Sequence, residues 1–82
     1  MKGDIVQRVV EYVSREIVEE PDSVSVTIVE DGPDEVTAEV RAAKSDMGRV
    51  IGRRGRVAKS IRTLAQAAAD EEGLQARVEF ID

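Results

Sequence analysis

The sequence predicts an α+β domain with the element order αββααβ, in which three helices pack on one face of a three-stranded sheet. Two observations lead there. Apolar residues recur every three to four positions in three segments and every second position in three others. Each segment also has a single apolar face, and one-faced elements bury those faces most economically as a layer of helices on a sheet. The 82 residues are expected to form one domain over residues 1–82, near the size at which a single core is only marginally sufficient.

Residues 4–19 read as the first helix. Ile5, Val9, Val13 and Ile17 recur every four residues with Val6 and Val10 beside them, Asp4 and Gln7 have capping-box spacing, and Pro21 ends the element. Val24, Val26 and Ile28 then alternate with Ser23, Ser25 and Thr27 as a strand. The turn is placed at Glu30-Asp31-Gly32-Pro33-Asp34, and Val36, Ala38 and Val40 alternate with Thr37, Glu39 and Arg41 in a second strand. So short a connection makes the pair an antiparallel hairpin. Ser45 or Asp46 can cap a short helix reaching Ile51, with Met47, Val50 and Ile51 in the core. A longer helix follows from about Arg56 to Glu72, with Val57, Ile61, Leu64, Ala65 and Ala68 as its stripe and Gly73 as its stop. Ala76, Val78 and Phe80 alternate with Gln75, Arg77 and Glu79 in a closing strand. Phe80 is read as core, and Tyr12 as helix surface or an interface.

The net charge of −5 conceals a segregation. Residues 41–62 hold eight of the twelve basic residues and one acid, Asp46, and so carry +7. The other sixty residues hold four basic and sixteen acidic residues, or −12. Bulk acidity argues against indiscriminate binding of polyanions, but a Debye length of about 8–10 Å lets a local basic patch act. Its centre is Gly48-Arg49-Val50-Ile51-Gly52-Arg53-Arg54-Gly55-Arg56, four arginines among three glycines.

Gly52 follows the short helix, and a left-handed C-cap accounts for it. Gly55 and the two arginines between them need more. A helix N-terminus suits an anion, glycines allow a phosphate chain to approach the backbone, and arginines supply forked donors for phosphate oxygens. Arg56, Lys59 and Arg62 lie in the first half of the long helix while Asp70, Glu71 and Glu72 close it. That order opposes the macrodipole preference by about 0.3–1 kcal/mol per terminal charge, a cost that an external anion at the positive end would offset. Gly48 is given no role in the site, and a close helix contact is the simpler explanation for it.

Other phosphate motifs do not fit. Gly55-Arg56-Val57-Ala58-Lys59-Ser60 lacks the second glycine and the spacing of a P-loop, and G-x-x-x-G-x-x-G between helices is not the dinucleotide fingerprint. Ile51-Gly52-Arg53-Arg54-Gly55, followed by Ile61-Arg62-Thr63-Leu64, resembles the I-G-x-x-G loop and I-R-x-L helix of the KH domain. With the αββααβ order, the resemblance is to the type II KH fold over essentially the whole chain, and the run VIGRRGRVAKSIRTL is similar to that of small bacterial RNA-binding proteins with one KH domain.

The resemblance implies binding of single-stranded RNA, or less often DNA, and the leading reading is an RNA chaperone or adaptor. Gly52, Arg53, Arg54 and Gly55 would clamp the sugar-phosphate chain of about four nucleotides beside an apolar groove. Arg49, Arg56, Lys59 and Arg62 would supply the surrounding field, with Ile51 next to the clamp. Val50, Ile51, Val57 and Ala58 flank the loop, some lining the groove and others belonging to the core. The resemblance also implies a homodimer or pairing with a larger KH protein.

An enzyme is not expected. There is no histidine or cysteine, Ser45 and Ser60 have no base partner, and the carboxylates fall in solvated runs. Glu30, Asp31, Asp34 and Glu35 could bind a divalent cation only weakly, since they lack the EF-hand register. No metal, cofactor or small-molecule substrate is expected. The N-terminal Met1-Lys2-Gly3-Asp4 has no signal-peptide core and no apolar run suits a bilayer, so a cytoplasmic location without membrane contact is expected. Two rival readings are a module docking an acidic protein through the basic patch, and a helix-turn-helix binder of duplex DNA.

Overall fold

Alternation along the three strand segments brings their apolar residues to a common side. The computed structural model describes residues 1–82. Its elements are α1 (Asp4–Ile17), β1 (Ser25–Gly32), β2 (Glu35–Arg41), α2 (Met47–Ile51), α3 (Arg56–Glu72) and β3 (Gln75–Ile81), with 3₁₀ turns at Pro21–Ser23, Lys44–Asp46 and Arg53–Gly55. The sheet order is β1-β2-β3. Antiparallel pairing matches Val26 with Val40 and Ile28 with Ala38, and parallel pairing matches Val36 with Ala76, Ala38 with Val78 and Val40 with Phe80. These residues form one apolar face, which the helices cover. A parallel pair requires a crossover, and here α2, the glycine loop and α3 provide it.

One cluster of buried residues joins the layers: Val6 and Val10 of α1, five sheet residues, Leu74, and Ile61, Ala65, Ala68 and Ala69 of α3. Small alanines let α3 sit close to both α1 and β3. Phe80, read from the sequence as core, is half-buried and packs against the edge of this cluster.

Several local expectations need correction. The hairpin turn is tighter than 30–34. Gly32 still pairs with Glu35, a bulge absorbs Asp31, and Pro33 and Asp34 alone turn the chain. Thr37 Oγ1 donates to the Asp31 carboxylate, which fixes the bulge. The carboxylates around this turn do not converge, and no acidic cluster in the chain is arranged to hold a metal ion.

The capping box does not form. Asp4 accepts from the Met1 ammonium at 2.9 Å, and Gln7 Nε2 donates across to the Val26 carbonyl at 2.8 Å. The Glu72 carboxylate, from the far end of α3, instead accepts from the amides of Gly3 and Ile5 at 3.0 and 3.2 Å. That contact also changes the macrodipole argument: the acid ending α3 serves the positive end of α1.

The first helix stops at Ile17, not at residue 19, and Pro21 opens the next turn. Its buried line is Val6, Val10 and Ser14, which leaves Ile5 38% exposed. On α3 the stripe is rotated toward Ala58, Ile61, Ala65, Ala68 and Ala69, and Leu64 is 43% exposed. Both shifts have one cause. Each helix packs against the sheet and the other helix together, so the buried arc centres between two neighbours.

Candidate functional site

The site begins with what holds α2, a helix too short to hold itself. Met47 and Val50 are buried beneath it. Neither Ser45 nor Asp46 caps it as expected. Ser45 Oγ donates to the Glu20 carboxylate, while Asp46, fully buried, accepts from the amides of Glu19 and Glu20 at 3.1 and 3.0 Å. Arg49 closes this clasp, donating to Asp46 at 3.4 Å and forming an ion pair with Glu19. Ile51 does not join the core but stands 40% exposed at the end of α2. Gly48 is exposed with open space where a Cβ would lie, so a close helix contact does not explain it.

The loop starts at Gly52, whose amide donates to the Gly48 carbonyl at 2.8 Å. Its φ of 77° is positive, but its ψ of 169° is extended, so it is not the left-handed C-cap expected. That region admits essentially glycine alone. A Cβ there would also lie 2.5 Å from Val57 Cγ2 and 2.9 Å from the Val57 amide nitrogen. Arg54 (φ 57°, ψ 26°) and Gly55 (φ 70°, ψ 18°) then take consecutive left-handed conformations. For Arg54 this costs about 1–2 kcal/mol. The turn is tied by the Gly55 amide to the Gly52 carbonyl at 3.1 Å, and it lifts Arg53 and Arg54 into solvent.

Directly after the turn α3 begins without any side-chain cap, so its positive end is uncompensated. Among the basic residues of this region, Arg41 pairs with Glu39 and Arg49 with the clasp. Arg53, Arg54, Arg56, Lys59, Arg62 and Lys44 make no ion pair. Exposed, unpaired cations thus gather at a glycine turn and an uncapped helix start, where the local potential is positive.

The structure brings Gly52, Arg53, Arg54, Gly55 and Ile51 together, with Arg56, Lys59 and Arg62 descending α3. It turns Arg49 aside into the clasp. Of the four residues flanking the loop, Val50 and Ala58 are core, Val57 is half-buried and Ile51 faces outward. Two features escaped the sequence reading: the Asp46 clasp, and a pocket lined by Ala42, Lys44, Met47 and Asp82. Only tertiary structure brings Glu19 and Glu20 to Asp46, and Asp82 to Ala42, Lys44 and Met47.

The two loop glycines should tolerate substitution unequally. Gly52→Ala is expected to cost about 2–3 kcal/mol, because backbone conformation and Val57 both oppose it. Gly55→Ala meets open space and is expected to cost about 1 kcal/mol. Urea denaturation of the two variants measures the difference.

The sequence model of the family described as "KhpA/KhpB, KH domain" matches residues 7–80. The chain belongs to this family. It is 45% identical over 71 residues to a protein of Leifsonia xyli subsp. xyli named RNA-binding protein KhpA, covering 87% of this chain and 90% of that protein. A protein of the same name from Clostridium acetobutylicum is 40% identical over 75 residues, covering 92% and 99%. Among solved structures, Aquifex aeolicus Era bound to GDP and AlF4⁻ superposes with a TM-score of 0.69 at 19% identity, over 93% of this chain. Era in complex with MgGDPNP and nucleotides 1506–1542 of 16S ribosomal RNA gives 0.67 at 20% identity. The chain spans 30% of each Era chain, and the likeness concerns the fold.

Proposed function

We propose that the protein binds single-stranded RNA through the Gly52–Gly55 turn, acting as an RNA chaperone or adaptor in the cytoplasm. The observation that carries this reading is the placement of Arg53 and Arg54, exposed and without an ion pair, on a left-handed turn leading into an uncapped helix. Gly52, Arg53, Arg54 and Gly55 hold the sugar-phosphate chain, as the GXXG loop of KH domains clamps about four nucleotides. Ile51 offers the bases an apolar contact at the loop's edge. Arg56 and Lys59 add field along α3, and Arg49 positions α2 instead of gripping phosphate. The family model covers nearly the whole chain, and the relatives are named for RNA binding.

A duplex reader of helix-turn-helix type fits poorly, since α2 has only five residues. One KH domain contacts few nucleotides, so we propose that it works in pairs, as a homodimer or beside a larger KhpB-type partner, with affinity raised by avidity. The family matched here includes both KhpA and KhpB.

Titration with single-stranded RNA hexamers, matched single-stranded DNA and duplex DNA tests the reading. Binding is expected to favour RNA and to fall with salt, at a log–log slope of about −0.7 per neutralised phosphate. Preference for the duplex, or binding to no nucleic acid at low salt, would overturn it.

A further inference from the structure

Arg62 differs from the other unpaired cations of the patch in having an aromatic partner. Its guanidinium carbon lies 5.5 Å from the centroid of the Phe80 ring, within cation–π range. Phe80 is the only phenylalanine of the chain, and the only tyrosine, Tyr12, is 68% exposed on α1. The flank of α3 that bears Arg62 is fixed in place. One turn further on, Gln66 donates to the Leu74 carbonyl at 3.2 Å and accepts from the Ala76 amide at 3.0 Å, tying the helix to the edge strand β3. Toward the loop, Lys59 and Arg56 continue the same basic stripe.

We propose that Arg62, backed by Phe80, is a stacking platform for one nucleobase of the strand held at the loop. This subsite rests on the RNA reading given above. The guanidinium is planar, weakly hydrated and suited to stacking, which an ammonium is not. Phe80 restrains it, so a base landing on Arg62 has less side-chain freedom to freeze. Arg62 itself remains exposed, so a base can reach it. It lies seven positions beyond Gly55, about 10 Å along the helix axis, within the span of a four-nucleotide segment. A chain with so few aromatics has little else on this side with which to stack.

The test compares Arg62→Lys, Arg62→Gln and Phe80→Leu, using oligo(A) and oligo(U) hexamers over a range of salt concentrations. Arg62→Lys keeps the charge and loses the plane. It is expected to weaken oligo(A) about five- to tenfold, and oligo(U) less, with the salt slope unchanged. Phe80→Leu, checked for folding by its melting curve, is expected to give a similar loss, and the double variant no more than the larger single loss. Full affinity in Arg62→Lys, together with a slope shallower by about 0.7 in Arg62→Gln, would make Arg62 a phosphate ligand and overturn the platform. Because Arg62 is exposed, that comparison stands even if Phe80→Leu fails to fold. If the parent protein binds RNA and the loop arginines control that binding, an unaffected Arg62→Lys sinks the platform alone. If the parent protein binds no RNA, the functional reading falls with it.

Discussion

Arg53→Asp combined with Arg54→Asp is expected to weaken single-stranded RNA binding about 100-fold or more at low salt, while the melting temperature changes little. Both side chains are exposed and neither takes part in an ion pair, so the fold loses no contact when they change. The bound state loses two charge-assisted contacts, each worth about 1.5–3 kcal/mol, and gains two repulsions at the most cationic point of the surface. Left-handed backbone at position 54 also tolerates aspartate better than arginine, which protects the turn. The salt dependence should flatten, since fewer phosphates are neutralised. Equal affinity in parent and variant, with folding intact by circular dichroism, would place RNA elsewhere on the molecule.

The largest loss of stability is expected from Asp46→Ala. This carboxylate is fully buried, accepts from the Glu19 and Glu20 amides and meets Arg49. Truncation leaves two backbone donors without an acceptor and frees the start of α2, which carries the loop. We expect a cost of about 2–4 kcal/mol, and so a melting temperature lower by roughly 10 °C or more. Asp46→Asn keeps the shape but turns an amide group toward one of the two backbone donors, so it should recover only part of the loss. A melting temperature for Asp46→Ala within a few degrees of the parent would mean that water replaces the carboxylate at little cost.

Periodicity was enough to give the element order and the single-faced sheet, because each strand and long helix carries its own apolar side. The loop could be read for a similar reason: two glycines and two arginines in four residues are unusual whatever surrounds them. What could not be read belongs to contacts between elements. Asp46 and Gln7 looked like local caps, yet their partners are Glu19, Glu20 and Val26, brought near only by folding. Glu72 looked like an unfavourable helix end until α1 was placed beside it. Ile51 and Leu64 are apolar at helical spacing, but the arc that a helix buries depends on how many neighbours it has. Arg49 is indistinguishable in sequence from Arg53; the acid beside it in space sets it apart.

The parallel pairing of β2 with β3 has a kinetic consequence. The hairpin partners of β2 lie close in sequence, whereas Glu35 and Gln75, its first register pair with β3, are forty residues apart. Closing that distance costs loop entropy before any contact rewards it, so the hairpin can zip early while β3 docks late. The glycine turn lies inside the segment that must be closed. A strand of RNA that binds the folded turn and not the open chain would therefore also oppose the release of β3 from the sheet.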